Sequence, residues 1–303
     1  MTGPTNEILA GNNMIRHLFG LTCLLALALL FAGGARAAES YNGCSGIITS
    51  LPATITTPGI WCLKQDFNTA ITSGNAILVA SDNVTIDCNG FKLGGLTAGA
   101  ATLTKGIVAS AHHYVTVRHC NIRGFYTGIL FGGSSTSSGD HLVEDNRFDN
   151  NTGTAISVTG DGSIVRRNRI FDTGGSTQSQ DAIAISSQYS VDIVDNTVSG
   201  VLATTGGNGY ATGIYTTHAA SNRISGNGIR GLVQDGTGKA YGIRNLASVR
   251  LAVRDNSVMG NGSTGSVGVY CVDANGRATD NVIGGFETAL SGCHDSGGNS
   301  VLP

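Results

Sequence analysis

The sequence predicts an all-β solenoid: one elongated unit of about eight coils, closed by an N-terminal cap. Three observations carry this expectation. The composition has 45 Gly, only 4 Pro and 13% charged residues; an Asn-x-apolar unit recurs along the chain; and a second unit of Gly-Ile type recurs between the copies of the first. Such a mixture is too apolar for a disordered chain and lacks the Ala, Leu, Glu and Lys runs of a helical one. It suits many short strands joined by glycine turns.

The Asn unit appears at Asn89, Asn121, Asn146, Asn168, Asn196, Asn222, Asn256 and Asn281, with successive spacings of 32, 25, 22, 28, 26, 34 and 25 residues. That is the range of a solenoid whose coils carry loops of variable length. Three residues before the Asn stand Val143, Val165, Ile193 and Val253; two after it stand Phe148, Ile170, Val198, Ile224 and Val258. Both columns are apolar, yet they lie five residues apart. They face one interior only if the strand alternation breaks once between them. Asn tolerates left-handed backbone angles, so the corner is expected on the Asn itself. Stacked carboxamides would then hydrogen-bond from coil to coil, which makes the ladder structural.

The second unit reads Gly106-Ile107-Val108, Gly128-Ile129-Leu130, Asp181-Ala182-Ile183, Gly213-Ile214-Tyr215, Gly242-Ile243-Arg244 and Gly268-Val269-Tyr270. Each coil therefore supplies a strand before the Asn, one after it and one at Gly-Ile. Three sheets around one apolar centre follow.

The termini are read in order. Residues 1–37 have the form of an export signal: Arg16 and His17 precede the apolar run from Leu18 to Phe31, and Ala35-Arg36-Ala37 is a small-x-small cleavage site. Met14 suits the true start. The run is too short to span a bilayer, and no later segment is long and apolar enough to do so. A secreted or periplasmic location is expected. Residues 38–80 hold Pro52, Pro58 and the single Trp, Trp61, but lack the Asn unit; they are assigned to the cap that a solenoid's first coil requires. The β-helical body is placed at 81–293 and a C-terminal tail at 294–303.

Cys23 leaves with the signal, and Cys44, Cys62, Cys88, Cys120, Cys271 and Cys293 remain. An even number in an exported chain favours disulfides, although six thiols allow 15 pairings. Cys88 and Cys120 each precede an Asn of the repeat, so they are expected to stack in neighbouring coils about 4.8 Å apart. Cys271 and Cys293 are also one coil apart, which leaves Cys44 with Cys62. Buried free thiols are the alternative. No Cys-x-x-Cys or nearby Cys/His spacing marks a zinc site, and no metal is expected.

The formal net charge is −2, becoming −3 when Glu7, Arg16 and Arg36 leave with the signal. Without a Lys/Arg run, positive potential is not concentrated enough for nucleic acid.

The stretch Asp82-Asn83-Val84-Thr85-Ile86-Asp87-Cys88-Asn89-Gly90-Phe91 resembles the opening-coil motif of right-handed parallel β-helix proteins of the pectin-lyase-like superfamily. The Asn and Gly-Ile units extend the resemblance to about residue 290, and Pro58-Gly59-Ile60-Trp61-Cys62-Leu63 fits it too. The resemblance implies the handedness of the coil. It leaves function open among lyases, hydrolases, epimerases, tailspikes and adhesins, because function lives in the site. Gln180-Asp181-Ala182-Ile183-Ala184 is similar to the Asp-Asp-Cys-Ile-Ala signature of polygalacturonases, but Gln180 replaces one of the two carboxylates that inverting hydrolysis needs. No Asn-Thr-Asp, Gly-His-Gly or Arg-Ile-Lys motif accompanies it, and the epimerase and pectate lyase motifs are absent as well.

If the corner lies at the Asn, residues two before and one after it face solvent. This gathers Glu144, Arg147, Arg166 and Arg169 as catalytic candidates, with Arg223 and Asp181 as substrate-binding candidates. Arginines at strand spacing can fork a uronate carboxylate, and a lyase would call on such an Arg or on Ca²⁺; otherwise no cofactor is expected. The alternative is a surface ion-pair ladder. Tyr126, Tyr210, Tyr215, Tyr241 and Tyr270 recur near the Gly-Ile strands and offer stacking platforms for sugars, or simply cover the coil edge. His112, His113, His119, His141 and His218 suit structural or surface roles. Two functions remain: an exported β-helix that binds, and in lyase fashion cleaves, an acidic polysaccharide along one face, or a non-catalytic adhesin-like or matrix solenoid.

Overall fold

A computed structural model describes residues 43–218, 221–247 and 250–303; the expected export signal lies outside them. The chain is an all-β, right-handed parallel β-helix whose strands form three parallel sheets of 11, 10 and 10 strands. We name them by their place in each coil: the pre-turn sheet, the post-turn sheet and the Gly-Ile sheet. A short 3-10 helix, Leu96–Ala98, lies between the strands.

Three apolar columns meet along the axis. The pre-turn column aligns Val117, Val143, Val165, Ile193, Ile224 and Val253. The post-turn column aligns Leu93, Ile122, Phe148, Ile170, Val198 and Ile229. The third aligns Ile107, Ile129, Ile156, Ile185, Ile214 and Ile243. All of these side chains are buried, and each contributes about 1.5–3 kcal/mol by leaving water.

In five coils the corner sits one residue earlier than the sequence suggested, whereas Asn89 (φ 50°) takes the left-handed turn itself. Asp145, Arg167, Asp195, Asp255 and Asp280 carry the left-handed φ, between 54° and 57°, and the Asn that follows has an ordinary backbone. Asp, like Asn, reaches this region at little cost. The displacement turns the carboxamide inward while the corner residue stays at the surface.

The ladder runs through Asn146, Asn168, Asn196, Asn227, Asn256, Asn281 and Asn299, with side-chain contacts of 2.9–3.0 Å between neighbours. Three expected members are not rungs. Asn89 and Asn121 follow Cys88 and Cys120, which occupy the rung positions themselves: the backbone N–H of Cys120 donates to Asn146 Oδ1 at 3.0 Å, and Asn121 pairs with Arg147 in the post-turn sheet. Asn222 lies within the pre-turn strand Ser221–Ser225, opposite Leu251. Its apolar partner in the pattern, Ile224, belongs to the pre-turn column, so the spacing matched for a different reason. Gly226 (φ 68°) supplies that coil's corner and Asn227 its rung.

The strands Gly46–Ile47, Ala53–Ile55, Gly59–Cys62, Phe67–Asn68 and Asn75–Val79 already lie in the three sheets, so residues 46–79, which lack the Asn unit, wind like the rest. At the other end, His294–Asp295 and Ser300–Leu302 pair with the preceding coil and Asn299 is a rung, so 294–303 is part of the winding. Disulfides join Cys44 to Cys62, Cys88 to Cys120 and Cys271 to Cys293, as the repeat suggested.

Candidate functional site

The pre-turn sheet presents an outward column of Asp87, Arg118, Glu144 and Arg166 in register. Arg118 Nε donates to Asp87 Oδ2 at 2.8 Å. Arg166 Nε donates to Glu144 Oε2 at 2.9 Å, and Arg167 Nη2 reaches the same oxygen at 2.6 Å and Asp145 Oδ2 at 2.7 Å. Burial alone would raise the Asp87 carboxyl, but hydrogen bonds from the Asn89 backbone, Arg118 and His119 outweigh it and hold it below the usual range. The Arg167 guanidinium does the same to Asp145. Glu144 and Arg166 are therefore brought together, but engaged with each other.

Arg147 and Arg169 are direct neighbours on the post-turn strands Arg147–Asp149 and Arg169–Gly174. The Arg147 guanidinium lies 4.7 Å over the Phe171 ring, with its Nε 3.5 Å from Asp149. Arg169 forms no ion pair among the described residues. With Asn121, Asp145, Arg167 and Asp195 they line an open cleft of about 600 Å³ at the corner. Arg223 and Asp181 lie elsewhere. Arg223 forms an ion pair with Asp192 at 3.0 Å, and Asp181 Oδ1 accepts the Tyr210 N–H at 2.7 Å, which ties the turn before its strand to the next coil.

His141 is buried, its Nδ1 accepting the Val115 N–H at 3.3 Å and its Nε2 lying 2.9 Å from the Ser138 hydroxyl. Burial pushes its pKa down to about 4. His112 and His119 are nearer the surface and pair with Asp82 and Asp87.

The tyrosines converge. On the Gly-Ile sheet, Ser186, Tyr215, Arg244, Tyr270 and Ser291 form one register column. The Arg244 guanidinium carbon lies 4.6 Å from the centroid of Tyr241, 5.3 Å from Tyr210 and 5.7 Å from Tyr215. Tyr210 and Tyr241 are stacked at 6.1 Å, and Tyr241 meets Tyr270 edge-on at 5.9 Å. Arg244 Nε is buried without a hydrogen-bond partner, and among the described residues no carboxylate pairs with this guanidinium. The strand Ala240–Asn245 that carries it is anchored by the inward Ile243 and by Asn245, whose Oδ1 accepts the Thr216 hydroxyl at 2.8 Å. The tyrosines stand out in the sequence, whereas Arg244 enters there only as the residue after Ile243 in the Gly-Ile unit. Tyr126 belongs to an earlier coil, near Gly153.

Among the described residues, no group of three or more His, Cys, Asp or Glu is placed to hold a metal ion, and no helix is long and apolar enough to cross a membrane.

A family model described as a right handed beta helix region matches residues 41–198 and 105–301. No curated protein matches the chain. Solved structures similar to it include a tailspike protein mutant of E. coli bacteriophage HK620 in complex with a hexasaccharide. That structure has 14% identity and a TM-score of 0.46, over 85% of this chain and 55% of that one. A second mutant of the same tailspike, in complex with a pentasaccharide, has 13% identity and a TM-score of 0.43, over 85% and 56%. XylC in complex with xylose has 11% identity and a TM-score of 0.40, over 76% and 38%. The chain thus spans about half the length of the tailspike chains.

Proposed function

Because the chain belongs to the right handed beta helix family, whose coils hold side chains in register along flat faces, we propose that it is an exported solenoid that binds an acidic polysaccharide. The observation that carries this is Arg244, a guanidinium beside three tyrosine rings with no carboxylate partner among the described residues. Aromatic faces take the apolar side of a sugar ring. A guanidinium meets a carboxylate with paired hydrogen bonds, and its planar group stacks on the same rings. Ser186 and Ser291 continue the column with hydroxyls. Three disulfides suit an oxidising compartment, in line with the leader-like segment at the start.

Binding without cleavage is the reading we adopt. Glu144, the carboxylate among the catalytic candidates, has its Oε2 engaged by two guanidiniums. Cleavage in lyase fashion is the second reading. What favours it is Arg169, exposed beside Arg147 in the corner cleft and without an ion pair of its own among the described residues.

Calorimetric titration with a polyuronate and with the same polymer after reduction of its carboxyl groups tests the proposal. A parallel assay would follow new reducing ends and ultraviolet-absorbing unsaturated ends. Binding to the acid alone, without turnover, is expected. Equal affinity for both polymers would sink the acidic-glycan reading, and turnover would replace binding with cleavage.

A further inference from the structure

The pre-turn sheet carries a second concentration of positive charge, in its C-terminal half. Arg223, Ala252 and Arg277 are consecutive in register, and Arg250 lies two residues before Ala252 on the same strand, Arg250–Arg254. Arg250 is therefore diagonal to both other arginines, about 7–8 Å away between backbones. Alternation along the strand puts it on the same outward side as Ala252. The small Ala252 side chain leaves the centre of the triangle open, and these residues line a cleft of about 490 Å³.

Three guanidiniums around one alanine repel one another. Asp192 balances part of that charge by pairing with Arg223, and among the described residues neither Arg250 nor Arg277 forms an ion pair. Like charges this close lower stability, so their clustering calls for an anion.

We propose that Arg223, Arg250 and Arg277 form a binding site for a tetrahedral oxyanion, the sulfate or phosphate monoester of a substituted glycan. Three forked donors approaching from three sides match a group that offers three acceptor oxygens, whereas a planar carboxylate offers two. The site is on a different sheet from Arg244, so it stands or falls independently of the acidic-polysaccharide proposal.

The full chain would be titrated with an oligosaccharide in unsubstituted, sulfated and phosphorylated forms, and with inorganic sulfate and phosphate. The substituted sugars are expected to bind at least tenfold more tightly than the plain one, and the better of the two identifies the ester. The double variant R250A/R277A should abolish that preference, with about tenfold lost per charged hydrogen-bonding group. R244A, on another sheet, should leave the preference for the substituted sugars intact. R250K/R277K keeps both charges and so guards against a folding failure of the alanine variant; losing the fork geometry, it should lose most of the preference. Wild-type protein that treats the three sugars equally, or arginine variants that keep the preference, would overturn the proposal. Loss of polyuronate binding in R244A has no bearing on it.

Discussion

Asn168 holds Asn146 by a single atom: its Oδ1 accepts both the backbone N–H of Asn146 at 3.1 Å and the Nδ2 of Asn146 at 3.0 Å. Asn146 Nδ2 also donates to the Val117 carbonyl at 2.9 Å in the coil before. Repeated along the stack, this satisfies the buried carboxamides without water.

Asn168→Leu should therefore leave a buried N–H and a buried amide without an acceptor and lower stability by about 3 kcal/mol. Asn222→Leu, by contrast, removes a buried carboxamide that has no partner, and should be neutral or mildly stabilising. Chemical denaturation of the two variants compares a rung with its look-alike. Equal losses would show that the assignment of Asn222 outside the ladder is wrong.

Acid should weaken the protein before its carboxylates protonate. The folded-state pKa of His141, about 4, lies below the ordinary 6.5, so the unfolded chain takes up the proton first. The stability that His141 contributes is complete above pH 6.5, falls as the pH drops towards 4 and changes no further below it, a loss of roughly 3 kcal/mol. Asp82, Asp87 and Asp145, whose pKa values are also lowered, act only below their ordinary value near 3.8. Urea midpoints measured between pH 7 and 4 should slope for the wild type and be nearly flat for His141→Gln. A flat wild-type profile would contradict this.

The ion pairs around Glu144 are expected to support the fold and leave ligand binding alone. Glu144→Gln should cost about 1 kcal/mol, since its arginine partners are partly solvated, and leave polyuronate affinity within twofold. The pair R166A/R169A separates the two functional readings: any turnover that this variant abolishes, in a protein still folded by circular dichroism, would restore the corner cleft as a catalytic centre.

Much of the fold was legible because its signals are local. Val143 and Phe148 stand five residues apart, and that alone requires one break in alternation. What the chain could not tell was which residue takes the break, since Asp145 and Asn146 both tolerate the left-handed region. Two further errors share a cause. Cys120 replaces a rung side chain with a disulfide sulfur, and Asn222 reproduces the rung spacing inside a strand, so residue type alone misplaced both. The Arg244 platform was partly hidden for a different reason. Tyr215, Arg244 and Tyr270 share the third position of the Gly-Ile unit, so their column is legible; the approach of Tyr210 and Tyr241 to the guanidinium from outside that column is not.

The central claim is that Arg244 and its tyrosines receive an acidic sugar. The most direct measurement is the Kd of the full chain for a polyuronate oligosaccharide, compared between wild type and Arg244→Gln, a side chain that keeps polarity and loses the charge. The account expects the variant to bind at least tenfold more weakly with its thermal stability little changed; affinities within twofold of each other would contradict it.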